Sequence, residues 1–480
     1  MVLQGRKVNS NPLARISISR ISKHGGAAGL AFSVFVGLTL ACSTMFSVHA
    51  AILVLCGGTL LALTLFLRQI DLLIYGWFIL TGFILVITWH LMPQYSQLLG
   101  TAIFWGLLLC IMATWAMDNC LKGMKFVSFD NVPVKLTVLL FLFWGAICVY
   151  TSVDMNISIR RFSHIAIGVG ASYMFYDFFS RDHKNIRKTV GIVFFMTLVV
   201  SVATIVTGVY SLSAGLPIYK QLGLWFMGSN AVGSLLCNSI PILVTAGLTL
   251  VPNKTLKAIL VAVMLLALFF TFARSAWIGT LAAIGFILWR SRIHRFISLA
   301  MIVGLVVAAW LFPAVGADVY RYVTGGDYSY RQHIWKASWN MACDYPFFGV
   351  GPGNAMYLMS DYLVDPLYAE LVGVEDTHSV YLKNAAEMGF ASPVMWLAIF
   401  ALFIYYSTRI ERSLNSRFLR LAAMGSTATF IGLSVHGISE NGFFMTPFVA
   451  AEYYAMLPYI LFAIPFAAKK LEERQKQDDA

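Results

Sequence analysis

The stretch "TVGIVFFMTLVVSVATIVTGVY" (189–210) contains no charged residue and follows directly on the basic cluster "RDHKNIRK" (181–188). An α-helix needs about 20 consecutive apolar residues to span the hydrocarbon core of a bilayer. Lysine and arginine concentrate beside the cytoplasmic ends of such helices. The stretch therefore predicts a transmembrane helix that starts at the cytoplasmic face.

Similar apolar runs recur along the chain, in which 59% of the 480 residues are hydrophobic and only 12% are charged. Soluble globular domains carry about twice that charged fraction. The sequence therefore predicts an all-α polytopic membrane protein with about 12–14 transmembrane helices. The predicted spans are 26–46, 48–67, 72–92, 98–117, 132–152, 162–179, 189–210, 230–251, 257–273, 276–289, 296–314, 391–408, 420–436 and 447–467.

The basic segments between the spans predict the orientation of the chain. An excess of Lys and Arg marks cytoplasmic loops, and most of the 34 Lys and Arg residues fall on one predicted face. Both termini are therefore expected in the cytoplasm, and the net charge of +12 reflects orientation and not nucleic-acid binding. The segments are the N-terminal arm, 181–188, 290–295, 409–420 and 469–476.

Only one connection between predicted spans is long, and it lies on the predicted periplasmic side. We expect N-terminal transmembrane helices (1–314), a periplasmic loop (315–390), and C-terminal transmembrane helices with a cytoplasmic tail (391–480). The loop is long enough to roof a cavity. It contains "GVGPGN" (349–354), which predicts a tight turn, because no strand precedes it as one does in glycine-rich phosphate loops.

Four arginines on the predicted outer side, Arg160, Arg161, Arg274 and Arg331, depart from the charge rule. A single outer arginine is explained by snorkelling of its guanidinium to the membrane interface. Several on one face suit another purpose, because the rigid guanidinium fork matches phosphate oxygens. Arg160 or Arg161, with Arg274 and Arg331, therefore predicts a site for an anionic lipid head group such as a diphosphate.

A polar stretch with one histidine, "EDTHSVYLKNAAEMGF" (375–390), ends the long loop. Asp376 or Thr377 is the predicted N-cap of a helix, which puts His378 in the first helical turn. The positive end of a helix disfavours imidazolium, so the ring would stay neutral and able to accept a proton. A structural histidine bonded to a loop carbonyl is the alternative.

Two further polar groups, His436 and Glu440, lie in "HGISENGFF" (436–444) between two predicted spans. They form either a buried polar pair or a wall of the same cavity. Neighbouring carboxylates at Glu375 and Asp376 would diverge on a helix, and the outer side carries no D-x-D motif to hold a divalent metal. We therefore predict metal-independent chemistry without a cofactor.

The segments "YRQHIWKASWNMACDYPFFGVGPGNAM" (330–356) and "THSVYLKNAAEMG" (377–389) resemble the O-antigen ligase and polymerase family of bacterial inner membranes. "GSNAVGSLLCNSIPIL" (228–243) and "FARSAWIG" (272–279) look similar to further segments of that family. The resemblance covers about 225 to 440. In the remaining first part of the chain only the hydropathy pattern is similar.

The resemblance implies a GT-C-like glycosyltransferase that is metal-independent and inverts the sugar that it transfers. Its donor would be O-antigen on undecaprenyl diphosphate, taken at the periplasmic face, and its acceptor the lipid A core oligosaccharide. The catalytic histidine of the family falls on His378. The arginines that bind the diphosphate fall on Arg274, Arg331 and either Arg160 or Arg161.

Two alternatives to a ligase stay open. An O-antigen polymerase of the same family would carry similar motifs and join O-antigen units to each other. A transporter or flippase for lipid-linked oligosaccharides would instead place ionisable groups near the middle of the membrane. The notable charges lie at the outer ends of the predicted spans, although Lys135 and Glu452 fall within or close to spans.

Overall fold

The computed structural model describes residues 74–77, 96–121, 127–213, 229–290, 327–363, 376–440 and 449–478. Within these segments the regular secondary structure is helical. The helices are α1 (Ser96–Leu121), α2 (Val132–Tyr150), α3 (Met155–Phe179), α4 (His183–Ser213), α5 (Ser229–Thr245), α6 (Lys254–Phe270), α7 (Arg274–Arg290), α8 (Asp327–Asp344), α9 (Ala355–Tyr362), α10 (Val380–Met388), α11 (Ala391–Ser413), α12 (Arg417–His436) and α13 (Val449–Asp478), with a short 3-10 helix at Gly247–Leu250.

Every predicted span within the described segments coincides with a helix, as at 189–210 in α4. Four helices in the described part of the chain are long and apolar enough to cross a membrane: α2, Val132–Tyr150; the His183–Ser211 part of α4; α11; and α12. The spans 26–46, 48–67 and 296–314, and most of 72–92, lie outside the described residues. The number of 12–14 spans and the GT-C-like arrangement therefore stay predictions.

Side chains that accept backbone hydrogen bonds set where several helices begin. The side chain of Asn131 accepts from the Val134 N–H at the start of α2, and Asp154 accepts from the N–H groups of Asn156 and Ile157 at the start of α3. Such caps satisfy backbone donors that have no partner inside the helix. The apolar runs fill the helices, and polar residues beside them fix the ends.

The chain divides into two compact units. In the first, the helical residues 74–77 pack against α1, where the rings of Trp77 and Phe104 lie 5.3 Å apart. The second unit contains α2 to α13 and all the candidate site residues. The three predicted parts of the chain, 1–314, 315–390 and 391–480, stay predictions.

Helix α12 lies at the centre of the second unit and packs against α5, α7, α11 and α13. Its contact with α7 is close. A Cβ atom added at Gly279 of α7 would lie 2.6 Å from the carbonyl oxygen of Gly432 on α12. Two glycines thus bring the backbones of α7 and α12 into near contact, and this fixes the first turn of α7 close to the last turn of α12.

The predicted cytoplasmic segments meet at one end of the second unit. Arg290 at the end of α7 pairs with Glu411 at 2.8 Å. Lys470 pairs with Asp130 at 2.8 Å, and the guanidinium of Arg474 donates to the Ser180 carbonyl at 2.9 Å. The described basic segments therefore share one end, as the sequence predicts. That this end faces the cytoplasm stays a prediction.

Candidate active site

The other end of the second unit brings together a histidine, a carboxylate and an arginine. Nδ1 of His378 lies 3.4 Å from Oε1 of Glu440. Nη2 of Arg331 lies 3.7 Å from Oε2 of the same carboxylate, and Nη1 of Arg331 donates to the Ser439 carbonyl at 2.7 Å. Glu440 is buried, whereas His378 and Arg331 are half-buried. The imidazole and the guanidinium can therefore be reached from outside, while the carboxylate between them cannot.

The prediction that His378 lies in the first turn of a helix is wrong. Ser379 is the N-cap of α10, and its side chain accepts from the Leu382 N–H. His378 precedes this cap with a φ of 50°, a left-handed conformation that is uncommon outside glycine. Its ring faces Glu440 and not the positive end of α10. A facing carboxylate stabilises imidazolium, so this effect has the opposite sign to the predicted one.

The second non-glycine residue with positive φ in the described segments is Phe272, at 52°. It lies two residues before Arg274, the first residue of α7. The indole of Trp277 holds this turn by donating to the Leu268 carbonyl at 2.7 Å. Strained backbone persists only where the surroundings hold it. Here one instance is His378 itself, and the other lies two residues before Arg274.

Glu440 is charged despite its burial. Burial alone would raise its pKa, but the hydrogen bond and charge of His378, together with the charge of Arg331, outweigh this and lower the pKa to about 2. The carboxylate is therefore ionised at neutral pH. The site holds a fixed negative charge behind His378.

His436 is buried and has a different neighbour. Its Nε2 lies 2.7 Å from the Ser234 hydroxyl on α5, and its Cβ lies against Gly279 of α7. Both His436 and Glu440 are buried, and each feels the charge of the other. Whether they form a buried polar pair or a wall of the cavity stays a prediction. Glu440 borders the site at His378, and His436 is a buried polar residue among α5, α7 and α12. Because Gly279 also lies close to the start of α7, Arg274 is at this same end of the unit.

Arg161 and Arg160 differ in their surroundings. Arg161 on α3 is half-buried and packs against Gly353. A Cβ atom added at Gly353 would lie 2.2 Å from the Arg161 Cγ. The guanidinium of Arg161 reaches the Met356 sulfur at 3.9 Å. Arg160 is exposed. Of the two, Arg161 is the residue that the fold holds against the loop.

The "GVGPGN" stretch is the tight turn that the sequence predicts. Gly349, Gly351 and Gly353 all have positive φ, and the N–H groups of Val350 and Gly351 donate to the carbonyls of Ala386 and Glu387 at the end of α10. Glycine adopts this conformation without steric penalty. The turn therefore joins the Arg161 region to α10.

The ion pairs of Lys383 were not predicted from the sequence. The Lys383 ammonium contacts both oxygens of Asp376, at 2.7 and 2.8 Å, and lies 3.9 Å from Glu387, which is fully buried and feels the charge of Arg161. The i,i+4 spacing of Lys383 and Glu387 on one helix face was a signal. The pairing with Asp376 depends on the loop that folds back over α10.

The length of α10 separates two groups of candidate residues. His378, Glu440 and Arg331 gather at its N-terminal end, where the Val380 N–H donates to the Gly437 carbonyl. Arg161 lies by its C-terminal end, about 12 Å further along the helix axis, since α10 has nine residues. A long arginine side chain covers part of that distance. Within the described segments, no group of three or more His, Cys, Asp or Glu residues is arranged to hold a metal ion.

Apolar helices long enough to cross a bilayer, with a polar site of histidine, carboxylate and arginine residues at one end, are typical of membrane enzymes that act on amphipathic substrates. Residues 259–397 match the model of the family described as O-Antigen ligase. This match confirms the resemblance carried by the motifs, and it includes Arg274, Arg331 and His378 but neither Arg161 nor Glu440. No curated protein sequence matches the chain.

The matched segment is less than a third of the 480 residues. The family consists of glycosyltransferase-like ligases and polymerases of O-antigen, so the chain is a membrane protein similar to them. At this coarse level the family match implies lipid-linked sugars and lipids as substrates.

Proposed function

We propose that the protein is an O-antigen ligase, which transfers glycan from undecaprenyl diphosphate to a sugar hydroxyl of the lipid A core. The reaction takes place at the periplasmic face of the inner membrane, without a metal ion, and inverts the anomeric configuration of the donor sugar. The observation that carries the proposal is the His378–Glu440 pair beside Arg331. The match to the O-antigen ligase family supports the reaction class.

His378 is the general base in this mechanism. With Nδ1 turned towards Glu440, the neutral ring carries its proton on Nδ1 and leaves Nε2 to accept one; this tautomer is inferred from the neighbouring carboxylate. A sugar hydroxyl is far too weak an acid to be ionised beforehand. Its proton therefore moves to Nε2 while its oxygen attacks the anomeric carbon, and such a base contributes about 10²- to 10⁴-fold in rate.

Glu440 stabilises the imidazolium that forms during attack. Its negative charge lies behind the ring and is fixed by burial. Because the charge is present before the proton arrives, it requires no reorganisation in the transition state. Glu440 is thus a positioning residue that acts through His378.

The arginines stabilise the leaving group. As the bond between the anomeric carbon and the phosphate oxygen breaks, the electron pair stays on undecaprenyl diphosphate, which departs as an anion. Arg331 and Arg274 lie at the same end of the unit as His378, and Arg161 extends from the other end of α10. Guanidinium groups hold diphosphate by paired hydrogen bonds, so no general acid is needed.

A transporter is less well supported than an enzyme. Lys135, one of the two ionisable residues that favoured transport, is the fourth residue of α2, just after the cap at Asn131. It therefore lies at a helix end and not at mid-membrane, where a transport site would place it.

Reconstituted protein tests the proposal. The full chain in proteoliposomes receives purified undecaprenyl-diphosphate O-antigen and rough lipopolysaccharide, and transfer is followed by the shift of lipopolysaccharide on a gel. We expect transfer to the lipid A core, and loss of at least about 10²-fold in rate for His378→Ala. The matched control is His183→Ala, at the basic end of the unit, which should transfer at the wild-type rate.

The products separate the alternatives. Longer O-antigen on undecaprenyl diphosphate, with no transfer to the core, would identify a polymerase. Movement of the donor across the bilayer without any new glycosidic bond would identify a transporter. Near wild-type ligation by a correctly inserted His378→Ala variant would remove the general base from the mechanism.

A further inference from the structure

An exposed aromatic turn (345–348) connects α8 to the glycine turn. Phe347 is 74% exposed, and Tyr345 and Phe348 also present much of their surface outside the fold. Trp339 on α8 is exposed beside it, and its ring meets that of Phe390 edge-on at 5.4 Å. A soluble loop rarely presents so many large aromatic side chains together.

Contacts with α2 show how far the turn lies from the end of that helix, which sets its level in the membrane. The Phe348 ring lies 5.2 Å from that of Trp144, and the Trp144 indole donates to the Met388 carbonyl at 2.8 Å. Trp144 is six residues before the end of α2 at Tyr150, which corresponds to about 9 Å along the helix axis. Side chains on a helix point back towards its N-terminus, so the contact is no closer to the end of α2 than this.

Helix α2 is among the most exposed of the candidate membrane spans. Only 22% of its apolar window is buried, and Phe143, next to Trp144, is 67% exposed. An exposed apolar surface on a helix long enough to span the bilayer suits contact with lipid. Since its 19 residues are about the length needed to cross the hydrocarbon core, a level about 9 Å from its end lies inside that core.

The path of α10 agrees with this level. Its first residue, Val380, bonds to Gly437 just after the end of α12, and its last, Met388, lies at Trp144. Helix α10 therefore descends from the end of one span to the depth of Trp144. Helix α11 begins there and exposes Val394, 66% of whose surface is outside the fold, within its first turn. The aromatic turn lies between two lipid-facing helix surfaces.

Inside a bilayer, backbone polar groups need partners within the protein, and two carbonyls of the turn have them. The Tyr345 carbonyl accepts from the Gly349 N–H at 3.0 Å, and the Pro346 carbonyl accepts from the Phe390 N–H at 3.0 Å. Pro346 has no N–H to satisfy. Just before the turn, the Asp344 carboxylate accepts from the Tyr362 hydroxyl at 2.9 Å, so the polar surface ends at Asp344.

We infer that the aromatic turn inserts into the acyl-chain region of the membrane leaflet nearest the site, as a re-entrant element between α2 and α11. Its occupant is lipid hydrocarbon, which covers Phe347 and Phe348 in place of water or protein. Part of the 315–390 connection is thereby a membrane element and not an aqueous loop. The inference depends on the level of the contacts and not on the proposed function.

Spin labelling measures the surroundings of the turn directly. A nitroxide is placed at Phe347→Cys in a cysteine-free full-length chain, in nanodiscs of phosphatidylethanolamine and phosphatidylglycerol. Collisions with oxygen, which partitions into lipid, are compared with collisions with a water-soluble nickel chelate. Phe143→Cys on α2 is the lipid reference, and Asp361→Cys, exposed on α9, is the polar reference.

Phe347→Cys should match the lipid reference, with frequent oxygen collisions and few nickel collisions. Frequent collisions with both reagents would put the turn in water, and rare collisions with both would bury it against another protein chain. Either result overturns the inference.

A second measurement keeps the native cysteines, in case their removal prevents folding. Membranes that contain each single variant are treated with an impermeant maleimide from the site face, and modification is read for each peptide by mass spectrometry. Labelling should be lost at Phe347→Cys and retained at Asp361→Cys, and detergent should restore it at Phe347→Cys. Equal labelling of both in intact membranes would contradict the insertion.

Discussion

Glu440→Gln tests how the carboxylate behind His378 acts. Glutamine keeps the shape of the side chain and an oxygen acceptor for Nδ1, but it removes the negative charge that faces His378 and Arg331. We expect a folded protein that binds the donor and transfers glycan slowly, since the imidazolium formed during attack loses its counter-charge. The affected step is acceptor activation.

The pKa of Glu440 sets the magnitude. The fall from 4.5 to about 2 corresponds to about 3 kcal/mol of favourable interaction with the carboxylate, because one pKa unit is worth about 1.4 kcal/mol. If all of this acted on the imidazolium in the transition state, the rate would fall about 10²-fold. Part of it belongs to Arg331, so the expected loss in kcat lies between about 10-fold and 10²-fold.

Two comparisons make this test specific. Glu411→Gln makes the same change in the ion pair with Arg290 at the basic end, and its kcat should stay at the wild-type value. In a His378→Ala background, Glu440→Gln should cost little more, because residues that act as one unit are not additive. A full kcat for Glu440→Gln, or additive losses in the double variant, would refute the reasoning.

The same carboxylate predicts an acid dependence of stability. Its pKa in the folded protein is depressed, so its contribution is fully present above about pH 4.5 and is lost as the pH falls towards 2. The difference in stability between wild type and Glu440→Gln should therefore narrow as the pH falls from 4.5 towards 2. Thermal unfolding in detergent across that range measures the difference, and a difference that widens on acidification would reverse the assigned sign.

Three further predictions concern donor binding and metal ions. Arg331→Lys should lower the rate about 10²- to 10³-fold in the reconstituted assay, because an ammonium cannot replace the guanidinium fork; an unchanged rate would limit Arg331 to a structural role. Gly353→Ala should raise the KM for the donor, because the new Cβ would lie 2.2 Å from the Arg161 Cγ and displace that side chain, and because the φ of residue 353 is +83°. The control Gly285→Ala, which has open space around it, should leave the KM unchanged. EDTA should leave turnover unchanged, since Asp376 is held in an ion pair; activity restored only by added Mg²⁺ would contradict this.

The sequence determined the helical architecture through local physics. A run such as 189–210 has no alternative in a bilayer, because only a helix satisfies its backbone inside the segment, and each described span became a helix as predicted. The motifs around Arg274, Arg331 and His378 also sufficed to indicate the family, and the match at 259–397 agrees.

Local sequence patterns did not predict the surroundings of His378, the candidate catalytic residue. A capping pattern placed His378 inside a helix, because Asp376 and Thr377 are good caps in isolation. In the fold, Ser379 caps α10 instead and Asp376 pairs with Lys383. The Asp376 carboxylate is thus used in a pair with Lys383, seven residues along the chain, and not in a helix cap.

Which charge faces His378 was decided by tertiary structure alone. Glu440 comes from the end of α12, 62 residues further along the chain. Its position follows from the close packing of α12 on α7 through Gly279 and Gly432. A sequence specifies local hydrogen bonds and apolar faces, but the electrostatic environment of a residue depends on distances between elements, which only packing sets.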